Sequence, residues 1–256
     1  MWYQVFKVGL FGPGVRALWR PWVVGEENLP REGGAVVACN HISVLDPIIV
    51  AAMLDRQMTY PAKKELFQGD HGLWSKIVAW FLKAVDQVPL DRSGGKRSVE
   101  GMAPVLTRLG EGGLIGIFPE GTRSADGKLY KGKTGVARMA LHADVPVVPV
   151  ALIGTEPVKG RFGIPTVRHP GVIIGEPLHF SELAGRQDEV AVLRWVTNEV
   201  MDAIQRLGGQ QYVDVYGFRV KYGNLKGKDL SRWRRPRPGG TPAPAPRETD
   251  RAGEQR

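Results

Sequence analysis

"AVVACNHISVLDPIIVAAML", residues 35–54, decides the fold. Its first part, "AVVACN" (35–40), is an unbroken run of small and β-branched apolar residues, the mark of a strand buried on both faces. Its last part, "PIIVAAML" (47–54), reads as a helix with proline in the first turn, where a missing N–H costs nothing. Between them runs a short polar turn holding His41 and Asp46, five positions apart. A buried strand feeding a helix is the repeating unit of an α/β sandwich.

The alternation continues outward. "MTYPAK" (58–63) and "QVPLD" (87–91) are short extended pieces, and "GLIGIF" (113–118), "VPVVPVALIG" (145–154) and "GVIIGEPL" (171–178) are strands. The two prolines of 145–154 predict an edge position or a bulge. Helical spacing appears in "LWSKIVAWFLKAV" (73–85), in Val99, Met102, Leu106 and Leu109, in "GVARMALHA" (135–143), and from Val190 to Leu207. The predicted fold is a single-domain α/β sandwich with a largely parallel, twisted sheet flanked by helices, spanning 25–224. Residues 1–24 form a separate amphipathic segment. Trp2, Tyr3, Phe6, Phe11, Trp19 and Trp22 occur there with Lys7, Arg16 and Arg20 and no acid, a composition suited to a lipid headgroup layer. A helix packed on its own core is the alternative. Residues 225–256, basic and rich in proline, read as a disordered tail.

With 43% hydrophobic and 24% charged residues the 256-residue chain is globular in composition. Its formal charge of +9 points to an anionic partner: nucleic acid, an anionic membrane surface or a phosphorylated substrate. One cysteine, Cys39, excludes an intramolecular disulfide framework. No apolar run reaches the roughly 18–20 residues of a membrane-spanning helix, and the start of the chain does not read as a signal peptide. The expected location is cytoplasmic.

Several chemistries can be weighed from the residues. "GKLYKGKT" (127–134) matches the P-loop pattern, but a P-loop follows directly on a strand and this stretch follows the polar "PEGTRSAD". "GPGVRA" (12–17) lacks a preceding strand. Cys39 ends an apolar run, the habit of a buried small hydrophobe rather than a nucleophile. The five histidines show no i,i+4 pairing or cysteine partner, so no metal site is expected. "FPEGTRS" (118–124) stands apart. It closes a strand at the end where open α/β sheets place ligands, and Arg123 can hold a phosphate or carboxylate bidentately. "PAKKELF" (61–67) and "PLDRSGGKR" (89–97) add basic residues after other apolar stretches. Three basic loops meeting at one sheet edge would form a site for a phosphorylated substrate; an ordinary charged loop is the alternative.

Taken together, "NHISVLDP" (40–47), "AKKEL" (62–66), "PLDRSGG" (89–95), "FPEGTRS" and "VPVVPVALIGT" (145–155) resemble, in order and spacing, the blocks of the PlsC-type glycerolipid acyltransferase family. The resemblance covers about residues 25–180. It implies an O-acyltransferase that moves a fatty acyl group from acyl-CoA or acyl carrier protein to the sn-2 hydroxyl of 1-acyl-sn-glycerol-3-phosphate, giving phosphatidate, with no bound cofactor. His41 would be the general base and Asp46 its hydrogen-bond partner. Lys63, Arg92 and Arg123 would hold the acceptor phosphate. Glu120, Gly121 and Thr122 would shape the acceptor pocket, and Pro149 would line the acyl or pantetheine path. The implied partners are an anionic membrane surface, lysophosphatidate and the thioester donor, without nucleic acid, and the implied location is peripheral on the cytoplasmic face of the membrane. Rival readings are an acyltransferase for another lysolipid or glycolipid, a P-loop nucleotide-binding protein, and a basic lipid-binding module without catalysis. Locally, Ser43 and Asp46 also form an S-x-x-D capping pattern, so Asp46 has a structural reading beside the catalytic one.

Overall fold

A computed structural model describes residues 7, 9, 12–70, 72–84, 86–90, 101–160, 165–240 and 242–244. After helix α1 (Gly12–Trp19), strand β1 (Trp22–Val24) opens a six-stranded sheet. The sheet is completed by β2 (Ala35–Cys39), β3 (Met58–Thr59), β6 (Leu114–Ile117), β8 (Val147–Ile153) and β11 (Gly171–Ile174), in the order β1-β11-β8-β2-β6-β3. The four strands β8, β2, β6 and β3 are mutually parallel, whereas β11 runs antiparallel to β8 and parallel to β1. Strands β4 (Pro61–Lys63) and β5 (Val88–Leu90) form a separate parallel pair.

Alternate residues of β2 divide the core. Val36 and Ala38 face a cluster that includes Val105, Met139, Val196 and Val200, whereas Ala35, Val37 and Cys39 face one that includes Ile49, Val50 and Leu54. All five β2 residues are fully buried, which is why the strand reads as a continuous apolar run without alternation. The helices behind these clusters are α2 (Asp46–Met53) on one face, and α4 (Ala103–Gly110), α5 (Gly135–Ala143) and α6 (Val190–Gly208) on the other; α3 (Gly72–Ala84) lies between β4 and β5 in the chain. Gly209, at φ +65°, closes α6 by donating its N–H to the Gln205 carbonyl. Past α2, the Arg56 guanidinium donates to the carbonyls of Pro30, Gly33 and Gly112, tying the approaches to β2 and β6 together.

Strand β8 is interior, so of the edge and bulge readings of its prolines the edge is excluded. Pro149 is tolerated because its neighbour is interrupted. Strand β11 ends at Ile174, Gly175 donates to the Pro149 carbonyl, and the chain rejoins β8 only where Leu178 pairs with Val147. The missing N–H of Pro149 falls in that gap.

The ends of the chain differ from expectation. Trp22–Val24 belongs to the sheet, so the boundary at residue 24/25 cuts a strand off the domain it serves. The Trp19 indole donates to Thr166 Oγ1 at 2.9 Å, and the Trp22 ring lies over Gly171, so these two tryptophans pack on the protein. Trp2, Tyr3, Phe6 and Phe11 lie outside the described residues. At the other end, residues 225–240 are ordered rather than a tail. Strand β7 (Leu129–Tyr130) pairs with β12 (Tyr212–Val213), which pairs with β13 (Arg234–Arg235), and helix α7 (Gly217–Lys221) lies between the last two in sequence. Leu225 and Leu230 are buried against Tyr130, Val213 and Val215. A small antiparallel pair, β9 (Val158–Lys159) and β10 (Pro165–Thr166), completes the description.

Candidate active site

Parallel strands β2 and β6 pair Ala38 with Ile117, so the chain leaves both at one edge, and residues 39–41 emerge beside 118–120. The first residue out is Asn40, fully buried. Its side chain acts as a peptide would: Nδ2 donates to the Leu152 carbonyl at 3.0 Å and Oδ1 accepts the Leu152 N–H at 2.7 Å. The sheet is thereby extended one position past β2, and His41 is held at its rim.

His41 Nδ1 lies 2.8 Å from Asp46 Oδ2. The same oxygen accepts the N–H groups of Ile42 at 2.7 Å and Ser43 at 2.8 Å. Asp46 is fully buried, and its other oxygen has no hydrogen-bond partner among the described residues. An acceptor already holding two amides takes the Nδ1 proton as donor, which leaves Nε2 as the basic nitrogen of the ring. The S-x-x-D capping pattern does not cap the helix: Asp46 is the first residue of α2, the helix N-cap is Leu45, and no side chain caps it. The Asp46 carboxylate instead reaches back to the Ser43 N–H and to the imidazole, and Ser43 Oγ accepts the Leu45 N–H.

The "FPEGTRS" segment fixes His41 from the other side. Glu120 Oε1 accepts the His41 N–H at 3.0 Å, Ser124 N–H donates to the His41 carbonyl at 2.7 Å, and the imidazole stacks on Phe118 with centroids 4.0 Å apart. Phe118 in turn stacks on Tyr60, whose ring covers Gly116. The second Glu120 oxygen accepts the Tyr130 N–H at 3.0 Å. Burial pushes the Glu120 carboxyl up to about 8, against the lowering effect of the His41 and Tyr130 amides. Glu120 thus ties His41 to β7 and, contrary to expectation, does not line the pocket onto which the His41 ring opens.

That pocket has a volume of about 270 Å³. His41, Gly121, Thr122 and Arg123 line it together, with Tyr60 and Phe118 behind the histidine. Gly121 sits at φ +69° with the Lys133 side chain lying across the place a Cβ would occupy, and the Thr122 methyl packs toward Gly217. Two wall residues carried no sequence signal, Lys221 and Tyr222 from the end of α7. Lys221 Nζ donates to the Arg123 carbonyl at 3.2 Å, placing a second cation beside Arg123.

The remaining predicted residues fall elsewhere. Lys63 ends β4 and pairs with Leu90 at the end of β5; its side chain lies outside the described residues, as does Arg92. Pro149 is buried in the sheet near Gly175 and Leu207 and is not among the residues lining the pocket at His41. Residues 127–134 contain strand β7 with Leu129 and Tyr130 buried, so no phosphate-cradling loop exists there. Cys39 is fully buried in the cluster beneath α2, and burial pushes its thiol up, unlike an activated nucleophile.

Comparison with known proteins agrees with this arrangement. The chain is 38% identical over 165 residues to the 1-acyl-sn-glycerol-3-phosphate acyltransferase of Bacillus subtilis, covering 63% of this chain and 75% of that protein. It is 33% identical over 163 residues to the chloroplastic LPAT1 1-acyl-sn-glycerol-3-phosphate acyltransferase of Arabidopsis thaliana, of which it spans 44%. The crystal structure of the 1-acyl-sn-glycerophosphate acyltransferase PlsC from Thermotoga maritima superposes with a TM-score of 0.59 at 24% identity, over 78% of this chain and 76% of that one, so the two share a fold. The model of the acyltransferase family matches residues 20–153, the stretch that carries the His41–Asp46 turn, the "FPEGTRS" loop and the strands beneath them, and the chain belongs to that family.

Proposed function

We propose that the protein acylates the sn-2 hydroxyl of 1-acyl-sn-glycerol-3-phosphate from an acyl thioester, forming phosphatidate. The observation that carries this reading is the His41–Asp46 pair opening onto a pocket that also holds Arg123 and Lys221. A base and two cations in a recess of this size suit a hydroxyl beside a phosphate, with the acyl chain left outside. The relatives named for the same acceptor support it.

His41 Nε2 takes the proton of the acceptor hydroxyl as its oxygen attacks the thioester carbonyl carbon. Asp46 holds the ring and offsets the positive charge it gains. When the C–S bond breaks, the imidazolium returns the proton to the leaving sulfur, so an ester and a free thiol form and the enzyme is regenerated. No acyl-enzyme is needed, in keeping with the inert burial of Cys39. Arg123 and Lys221 hold the phosphate. Among the described residues no helix is long and apolar enough to cross a membrane, and the protein works peripherally on the bilayer that holds its acceptor.

The test is thiol release from acyl-CoA or acyl carrier protein on addition of lysophosphatidate. His41→Ala should lower kcat by roughly 10²–10⁴-fold, the usual contribution of a general base, with the fold intact by circular dichroism. Full activity in that variant would overturn the assignment of the base.

A further inference from the structure

A second recess, about 370 Å³ in volume, adjoins the catalytic pocket across Lys221, which lines both. Its cations are Lys128, Lys221, Lys226, Lys228 and Arg234, and Val220 and Leu230 supply an apolar wall. Its two acids are committed locally. Asp126 accepts from Lys128 and from the Tyr130 hydroxyl at 2.9 Å, and Asp229 accepts the N–H and hydroxyl of Ser231. Lys226, Lys228 and Arg234 form no ion pair with a described residue. With five cations against two carboxylates, the recess presents net positive charge beside the acyl-transfer site. Ala125, Asp126 and Lys128 form one wall inside the 20–153 segment that marks the family, and residues 220–234, beyond that segment, complete the recess.

Shape and charge together select the occupant. A concavity of this size takes a small molecule rather than a flat protein or bilayer surface. Several cations around an apolar wall fit clustered phosphates next to a heterocyclic base. We propose that this recess binds the phosphorylated nucleotide head of a coenzyme A-type acyl thioester, with Lys226, Lys228 and Arg234 on its phosphates and the base against Val220 and Leu230. The pantetheine arm then runs past Lys221 and brings the thioester to His41. This assignment rests on the acyl-transfer reading above and names the donor class for it.

Full-length protein is titrated with coenzyme A, 3′-dephospho-coenzyme A and pantetheine, and acyl-CoA kinetics are measured in parallel. Affinity should fall in that order. Lys226→Ala with Lys228→Ala should weaken coenzyme A binding and raise the acyl-CoA KM by roughly tenfold each, as for two exposed charge contacts. The lysophosphatidate KM should stay where it is, and the paired arginine substitutions should retain affinity. Equal affinity for coenzyme A and pantetheine would overturn the proposal. So would an alanine pair that alters only vesicle sedimentation, or only turnover of acyl carrier protein. Coenzyme A binding without acyl transfer to lysophosphatidate would instead overturn the proposed function and leave the recess standing.

Discussion

At the scale of the residue, Asp46 and Glu120 divide the work of holding one histidine. Asp46 accepts the imidazole and two amides on a single oxygen. Asp46→Asn can keep its amide oxygen on those three donors, with the NH2 in the place of the unpartnered oxygen, but it loses the negative charge beside the ring. Its kcat should fall by at least about 10²-fold while the KM for lysophosphatidate moves little, a loss of charge stabilisation of the imidazolium rather than of binding. An unchanged kcat would remove Asp46 from the mechanism. Glu120 makes a separate, pH-dependent prediction. Its folded pKa lies near 8, above the ordinary 4.5, so the folded state holds a proton the unfolded state has lost between those values. Stability contributed by this group is full below about 4.5 and drains away as pH rises through 8, with a slope of at most about 1.4 kcal/mol per pH unit. Denaturant titrations from pH 5 to 8.5 should show that decline in the wild type and its absence in Glu120→Gln, which is less stable at low pH because its NH2 faces an amide donor. Parallel profiles for the two proteins would refute it.

At the scale of the element, the C-terminal segment is part of the site. β12 pairs with β7, whose Tyr130 N–H is held by Glu120, and Leu225 and Leu230 cover the Tyr130 side of that junction. Truncation after Asn224 exposes this cluster and should cost about 2–5 kcal/mol, the range for emptying a buried leucine site. Truncation after Gly240 should leave the melting temperature unchanged. Equal stability of the two truncated chains would show that 225–240 adds nothing to the fold. This segment was illegible in the sequence because its apolar residues are sparse and aperiodic; Leu225 and Leu230 bury themselves between lysines, glycines and arginines without helix or strand spacing to reveal them. The β2–turn–α2 unit was legible for the opposite reason, since a fully buried strand and a proline-started helix both mark their own boundaries. His41, Asp46 and Arg123 were readable as motif residues. Lys221 was not, because it reaches the pocket through tertiary packing of α7 on Thr122, nor was the inward turn of Glu120, whose neighbours Phe118, Gly121, Thr122 and Arg123 line the pocket. Pro149 misled because a proline gap is invisible until the neighbouring strand is known to break at Gly175.

At the scale of the whole molecule, the question is how a chain of charge +9 meets a lipid acceptor. The two tryptophans described near the N-terminus are packed on the protein, whereas other apolar side chains stand exposed. Val44 and Ile48 are exposed at the start of α2, immediately after His41, and on α3 Ile77 is 45% and Trp80 is 54% exposed. Lys76 and Lys83 flank these two on the same helix, and an apolar stripe bordered by lysines is the pattern of a helix resting in a headgroup layer. Each large side chain moved from water into the interface contributes on the order of 1.5–3 kcal/mol, while the net charge adds an attraction that salt weakens. Replacing Ile77 and Trp80 with aspartate should therefore lower sedimentation with anionic vesicles by roughly a hundredfold. Wild-type binding should also fall as ionic strength rises. Activity on a short-chain, water-soluble lysophosphatidate should persist in the variant, because neither side chain lines the catalytic pocket. Undiminished sedimentation would place the membrane contact on another face, and loss of the soluble activity would mean that α3 supports the fold rather than the bilayer.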